Sequence, residues 1–360
     1  MRSAATLFHL MSAALLVVAS PVSAEEFNLS AVTEAWLSGP HGDYQSPSFT
    51  HWNTEGKVPE ACAACHSETG MLDWLGADGT APLSVEHPGT INTVIGCASC
   101  HVSEATVLDA VPFPSGVTIG GLGSSATCTV CHQGRASTDA VRSATNGTEM
   151  DTVNPDLGFI NVHYGIAAAV MHGAEARGGF QYPGRNYAGR FSHVPSAGTC
   201  VACHDPHTTR VETESCMACH QGTSDIRQIR TRHADFDGDG STSSGIRSEI
   251  QGLHALLGKA IAVYAHEIVG QPIGYSAVSY PYFFNDSDGD GQIAAEEAGF
   301  PNRYVTWTPR LLMAAYNYQV VAKDGGAWVH NPGYTIQLLH DSIESLAERA
   351  DIETGRLKRP

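Results

Sequence analysis

All ten cysteines of this 360-residue chain fall in Cys-x-x-Cys-His runs, of which there are five. They are Cys62, Cys65 and His66; Cys97, Cys100 and His101; Cys128, Cys131 and His132; Cys200, Cys203 and His204; and Cys216, Cys219 and His220. Composition alone would yield about 0.01 such matches in a chain this long. Two thiols three residues apart can add to the two vinyl groups on one edge of a haem, and the next residue then offers its imidazole to the iron. Thioether bonds retain the cofactor without enclosing it. Zinc also binds Cys-x-x-Cys pairs, but it does not require a histidine after each one. An exported chain could instead oxidise the pairs to disulfides. The spacing favours five covalently bound haem c groups, with the five motif histidines as proximal ligands.

A haem iron has a second axial position. His207 follows His204 by three residues in "CVACHDPH", at most about 10 Å of chain. Pro206 biases Asp205 toward an extended shape, which carries His207 away from His204. Reaching the far side of its own iron is geometrically poor, so the distal face of a neighbouring haem is the better use. A solvated loop histidine is the plain alternative. Of the 18 histidines, twelve remain once His9 and the motif histidines are set aside, enough to complete every iron. The distal candidates are His41, His51, His163, His193 and His207, with His330 as a sixth. His163 is expected to begin an apolar helical stretch. His254 lies on the stripe Ile250, His254, Leu257, Ile261, Tyr264, Ile268 and reads as a core histidine. His87, His172, His233, His266 and His340 read as surface or loop groups. Met71, Met150, Met171 and Met313 have no context that favours them as ligands.

After residue 220 the chemistry changes. "DSDGDGQIAAEE" fits the calcium loop D-x-[DN]-x-[DN]-G-x5-E in full. Asp286, Asp288 and Asp290 supply hard oxygens, Gln292 its backbone carbonyl, Glu297 the closing carboxylate, and Gly291 the sharp turn. "DFDGDGSTSSGIRSE" begins equally well with Asp235, Asp237 and Asp239, but position 12 is Ile246, and Glu249 is the nearest closing group. One or two structural Ca2+ ions follow from this reading; an exposed acidic turn is the alternative for each loop.

The stretch "CVACHDPH" resembles the doubled CXXCH motif of multihaem c-type cytochromes. "SGPHGDYQSPSFTHWNTEGKVPEACAACHS", "FPSGV…GLGSSATCTVCHQGR" and "WTPRLLMAAYNYQ" look like stretches of exported multihaem cytochromes that also carry a calcium-loop tail. The resemblance covers most of the chain beyond its leader. It implies that a histidine three residues after a motif ligates an adjacent haem, and it supports histidines in the contexts of His41, His51, His163 and His193.

The elements that must position these groups are short. The expected fold is mainly α with extensive loop, organised around haems, and closed by a C-terminal helical bundle with calcium loops. Residues 1–24 read as a signal peptide, with Arg2, the apolar run Ala14–Ala19 and a small-residue cleavage site at Val22–Ala24. Residues 25–233 read as the pentahaem region, with almost no sheet, in which the glycine-rich 133–199 stretch wraps over haem faces. Residues 234–302 read as an EF-hand-like calcium-loop region with a helix over 246–268, and 303–360 as a helical tail. There Thr308 caps a helix that starts at Pro309 and runs to about Lys323, and another covers 334–350. Arg135, Arg177, Arg185 and Arg190 either pair with haem propionates or are simply exposed.

The formal net charge of −17 argues against DNA or an anionic membrane as a partner, and no run past the leader is long and apolar enough to span a membrane. The reading is an exported electron-transfer cytochrome, periplasmic or at the cell surface, with mostly bis-histidine haems. Its partners would be other cytochromes or a terminal reductase or acceptor, within a multihaem complex or polymer or alone. The alternative is an oxidoreductase for a small nitrogen or sulfur compound with one open iron. Pentahaem ammonia-forming nitrite reductases also bind calcium, but their catalytic motif usually ends in lysine and all five here end in histidine. A carrier is therefore favoured over a catalyst.

Overall fold

One turn of α-helix places residues i, i+3 and i+4 on a common face, which is the Cys-x-x-Cys-His spacing. In four motifs the histidine amide closes such a turn on the first cysteine's carbonyl: His101 N to Cys97 O 2.9 Å, His132 N to Cys128 O 3.0 Å, His204 N to Cys200 O 2.9 Å and His220 N to Cys216 O 3.0 Å. The first motif lies within the helix Glu60–His66. Each pair of sulfurs therefore sits side by side, with the imidazole one step along.

The computed structural model describes residues 28–360, so the signal-peptide reading lies outside the described residues. In the haem-motif half the helices are short: α1 (Leu29–Leu37), α2 (Pro47–Thr50), α3 (Glu60–His66), α4 (Glu68–Leu75), α5 (Ala98–His101), α6 (Ser103–Val107) and α7 (Ala126–Cys131). They continue with α8 (Thr138–Thr145), α9 (Ala167–His172) and α10 (Thr213–Met217). Among the described residues, sheet is confined to two antiparallel hairpins, β1 (Val111–Pro112) with β2 (Thr118–Ile119) and β3 (Ile273–Tyr275) with β4 (Phe283–Asn285). The tail holds α11 (Ile246–Tyr264), α12 (Pro309–Lys323), α13 (Ala327–His330) and α14 (Pro332–Ala347).

Helices α11, α12 and α14 pack on one another as the main core. Ile250, Leu253, Leu257, Ile261 and Tyr264 form the buried stripe of α11, which continues as a single π turn at Ala265–Val269 before Gly270. Helix α12 starts where its cap dictates: the Thr308 hydroxyl accepts from Leu311 N at 3.2 Å, and Pro309, lacking an amide hydrogen, occupies the first turn. It is buried almost all round, as a central helix must be.

Its polar side chains fasten the glycine-rich stretch. Asn317 accepts from Phe180 N at 2.6 Å and donates to Phe180 O at 3.0 Å, Gln319 accepts from Val162 N at 2.9 Å, and Tyr316 donates to Gly178 O at 2.7 Å. An extended segment has no ladder of its own, so the tail supplies the hydrogen bonds that its buried backbone needs. Val162 is thereby fixed, and with it the neighbouring His163.

A second, smaller core gathers Met71, Trp74, Phe113, Leu122 and Val130 between the first three motifs. From Phe191 to Ile229, by contrast, no residue is fully buried, although this stretch carries the last two motifs. Backbone ordering costs about 1–2 kcal/mol per residue, and this segment has no side-chain core to offset it.

Candidate haem-binding centre

Five histidine pairs face one another, each joining a motif histidine to one from elsewhere. Ring centres are 6.3 Å apart for His132 and His41, 5.9 Å for His66 and His163, and 6.3 Å for His101 and His207. They are 6.4 Å apart for His204 and His330 and 5.7 Å for His220 and His193. A metal–imidazole bond of about 2 Å on each side, plus about 1.2 Å from ring centre to nitrogen, sets two coaxial imidazoles about 6.4 Å apart. The pairs thus leave room for one metal ion each. Direct hydrogen bonds or stacking would bring the rings closer. The donor set and its spacing fit iron porphyrins attached at the adjacent cysteines.

Local structure aims these rings. His66 Nδ1 bonds Ser48 O at 2.8 Å, His132 Nδ1 bonds Gly165 O at 2.8 Å, and His204 Nδ1 bonds Thr209 O at 3.0 Å. Each carbonyl holds the hydrogen on Nδ1 and leaves Nε2 free to ligate. Gly165 is required twice over: its φ is +62°, and a Cβ there would lie 2.9 Å from His132 Nδ1. His163 itself takes a left-handed backbone, φ +77°, held by its amide on Asn161 Oδ1 at 3.0 Å. This loop precedes α9, which begins only at Ala167, so the expected helical start at His163 is corrected. The tight helical turn Pro40–Gly42 presents His41, and α1 before it is anchored by Trp36 Nε1 on Ile95 O at 3.0 Å.

The Asp205–Thr209 loop answers for both histidines of "CHDPH". Asp205 Oδ1 accepts from Thr208 N at 2.7 Å and His207 N at 3.2 Å, closing the loop. Its Thr209 carbonyl orients His204, while His207 leaves in another direction, toward His101. His330 ends α13, and Asn331 secures that end by donating to Gly189 O at 2.9 Å. His330 Nδ1 faces both oxygens of Asp324 at 2.8 Å each. Burial alone would lower this imidazole's pKa, but the Asp324 bond and charge outweigh it and leave it raised. Burial, then the charges of His66, Arg135 and Lys323, push His163 down to about 4, which keeps it a neutral donor.

His51 makes no facing-ring pair with a motif histidine. Its ring packs on Trp52 at 4.7 Å, and the Trp52 ring packs in turn on His66 at 5.1 Å. His254 stacks on Tyr318 at 4.0 Å and bonds Tyr318 O through Nε2 at 2.9 Å, a core role. His172 and His340, expected at the surface, are buried instead, because α9 packs against Phe113 and α14 turns His340 inward beside Asp341. Arg177 is engaged by Asp139 at 3.3 Å and Arg185 by Glu344 at 2.8 Å. Arg135 Nη1 lies 3.6 Å from Cys62 Sγ, and Arg190 reaches Gly198 O at 3.3 Å, so these two border the motifs.

The motifs themselves are packed out of chain order. Cys65 Sγ lies 3.9 Å from Val130 O, and Cys131 Sγ lies 3.8 Å from Ala64 O, so the first and third motifs sit back to back. Cys200 lies beside Cys128, and buried Ser125 accepts from Cys200 N at 3.0 Å, docking the fourth motif on the third. Cys203 and Cys216 are neighbours, and Cys100 lies near Cys128 and Cys131.

The two acidic loops share one hydrogen-bond ladder. Asp235 accepts from Gly238 N at 2.7 Å and Gly240 N at 3.0 Å; Asp286 accepts from Gly289 N and Gly291 N, both at 2.9 Å. Glu249 bonds Phe236 N at 2.7 Å, as Glu297 bonds Ser287 N at 2.7 Å, so Glu249 closes the first loop from the start of α11. Asp235, Asp237, Asp239 and Glu249 converge on one point, as do Asp286, Asp288 and Asp290. Partial burial, then the charges of Glu249, Asp239 and Asp235, push Asp237 up to about 6. Glu249 also pairs with buried Arg230 at 2.7 Å. Neither loop sits between two helices: the second follows β4, and only the first runs into a helix.

Among known proteins the chain matches "C-type polyheme cytochrome OmcC" of Geobacter sulfurreducens (strain ATCC 51573 / DSM 12127 / PCA), 24% identical over 84% of this chain and 45% of that protein. It also matches "C-type polyheme cytochrome OmcB" of Geobacter sulfurreducens (strain DL-1 / KN400), 22% identical over 88% of this chain and 48% of that protein. The chain spans slightly less than half the length of these curated relatives. No protein-family model and no solved structure matches it. No helix among the described residues is long and apolar enough to cross a membrane. The chain is a distant homologue of polyheme c-type cytochromes, which supports a multihaem c-type cytochrome with covalently bound haem.

Proposed function

We propose that the chain is an exported pentahaem electron carrier in which every iron lies between two imidazoles. The observation that carries this reading is the set of five facing histidine pairs at 5.7 to 6.4 Å. The pairing assigns His163 to the haem at Cys62–Cys65, His207 to that at Cys97–Cys100, and His41 to that at Cys128–Cys131. It assigns His330 to the haem at Cys200–Cys203 and His193 to that at Cys216–Cys219. Haem c supplies reversible one-electron chemistry when bound. The chain's part is to hold ten imidazoles aimed at one another in pairs, and to pack the attachment cysteines close together. With both axial positions taken at each iron, no site remains for a substrate, which favours a carrier over a nitrite- or sulfur-type oxidoreductase. The contacts between motifs give a path from first to third to fourth to fifth, with the second beside the third. An exported location, periplasmic or at the cell surface, follows from the leader and the attachment chemistry, and redox proteins are the fitting partners.

The test is spectroscopic. Purified protein should carry five haem adducts by mass, and its oxidised form should be entirely low-spin and indifferent to cyanide and nitrite. Ring planes meet at 16° in the His101–His207 pair and 80° in the His66–His163 pair, so the low-spin signals should be inequivalent. A high-spin iron that binds cyanide would favour the oxidoreductase.

The acidic loops are read as structural Ca2+ sites, with Gln292 O and Glu297 completing the second. A cation held at 100 times its Kd adds about 2.7 kcal/mol of stability per site. Chelation should lower the Tm by several degrees, and added Ca2+ should restore it. An unchanged Tm would remove the assignment.

A further inference from the structure

The ten facing imidazoles are not equivalent in what their outer nitrogens touch. His66, His132 and His204 give Nδ1 to neutral backbone carbonyls. Among the described residues, His330 alone of the ten gives it to a carboxylate, at 2.8 Å from each Asp324 oxygen. The Asp324 side chain is only 4% exposed. No lysine or arginine among the described residues pairs with it. The adjacent Lys323 turns away, with Nζ 3.7 Å from the Tyr164 ring centre, 4.0 Å from that of Tyr282 and 3.4 Å from Ala277 O. The carboxylate is held rigidly: Asp324 Oδ1 accepts from Gly326 N at 3.0 Å, and His330 N bonds Gly326 O at 2.8 Å. Gly326 is also hemmed in, since a Cβ there would lie 2.5 Å from His330 Cε1.

A buried charge without a cation is costly, so the counter-charge of Asp324 must be the imidazole and whatever that imidazole binds. A carboxylate behind a metal-bound histidine raises the basicity of the ligand, and burial strengthens the interaction. We propose that Asp324, acting through His330, stabilises the oxidised state of the iron attached at Cys200 and Cys203 and makes it the last of the five to accept an electron. This rests on the ligand reading above. Asp324 is a tuning residue, since it touches the ligand and not the iron.

The experiment is a redox titration of the complete holoprotein, followed by electron paramagnetic resonance, on the native chain and on Asp324→Asn, Asp324→Glu and His330→Ala. The Asn substitution removes the charge and retains an oxygen for Gly326 N, so haem content and Tm should match the native protein. The most negative of the five midpoint potentials should then shift positive while the others stay in place, and Asp324→Glu should remain close to native. An Asn titration that superimposes on the native curve overturns the proposal, as does a Glu variant that shifts as far as Asn. His330→Ala separates the two failures. If it leaves every iron low-spin, the ligand reading has failed. If it makes one iron high-spin while Asp324→Asn changes nothing, only the tuning role is lost.

Discussion

Replacing His207 with alanine should turn one iron in five high-spin, and that iron should be the one attached at Cys97 and Cys100. His207 belongs to the loop of the fourth motif, yet its ring centre stands 6.3 Å from His101, with the planes 16° apart. Chain connectivity would suggest damage to the haem of the fourth motif. The loop geometry suggests otherwise, because Thr209 O holds His204 from the same turn that sends His207 away. The assignment is checked by combining His207→Ala with removal of Cys97 and Cys100. The high-spin signal of the single variant should vanish with the second haem. A spectrum identical to native after His207→Ala, or a high-spin signal that survives loss of the second haem, contradicts the bridge.

Removing the fourth attachment, by Cys200→Ala with Cys203→Ala, should loosen the 191–229 stretch while the bundle of α11, α12 and α14 persists. No residue from Phe191 to Ile229 is fully buried, whereas Leu253, Leu257, Leu311 and Leu338 of the bundle are fully enclosed. Ordering such a stretch costs on the order of tens of kcal/mol of backbone entropy, so a covalently fixed apolar cofactor must contribute much of what offsets it. Limited proteolysis should cut within 191–229 about tenfold faster or more than in the native holoprotein, leaving the C-terminal bundle as a resistant fragment. Equal cleavage rates would mean that protein contacts alone hold the segment.

Much of this chain could be read without coordinates, where the determinants are local. A Cys-x-x-Cys-His run specifies one helical turn whatever surrounds it. The Thr308–Pro309 cap, the stripe of α11 and the Asp-Gly ladders of the acidic loops depend only on neighbours a few residues away. Glu249 is the intermediate case. It stands three positions late in the loop pattern, but the first turn of α11 swings its carboxylate back onto Phe236 N.

What the residues alone could not decide is which histidine meets which. His41 precedes the first motif and faces the third, His163 follows the third and faces the first, and His330 lies far downstream of the His204 that it faces. His51 has as suitable a local context as His41, yet it is Trp52, not His51, whose ring packs on His66. His172 and His340 look like surface groups and are buried by contacts from distant elements. The sequence by itself determined the attachment chemistry, the helical turns that present it and the shape of the acidic loops, because each is settled within a few residues of backbone. The tertiary structure decided the pairing of imidazoles and the order in which motifs touch. Those depend on side chains separated by up to 126 residues along the chain, as His204 and His330 are, and only packing brings them together.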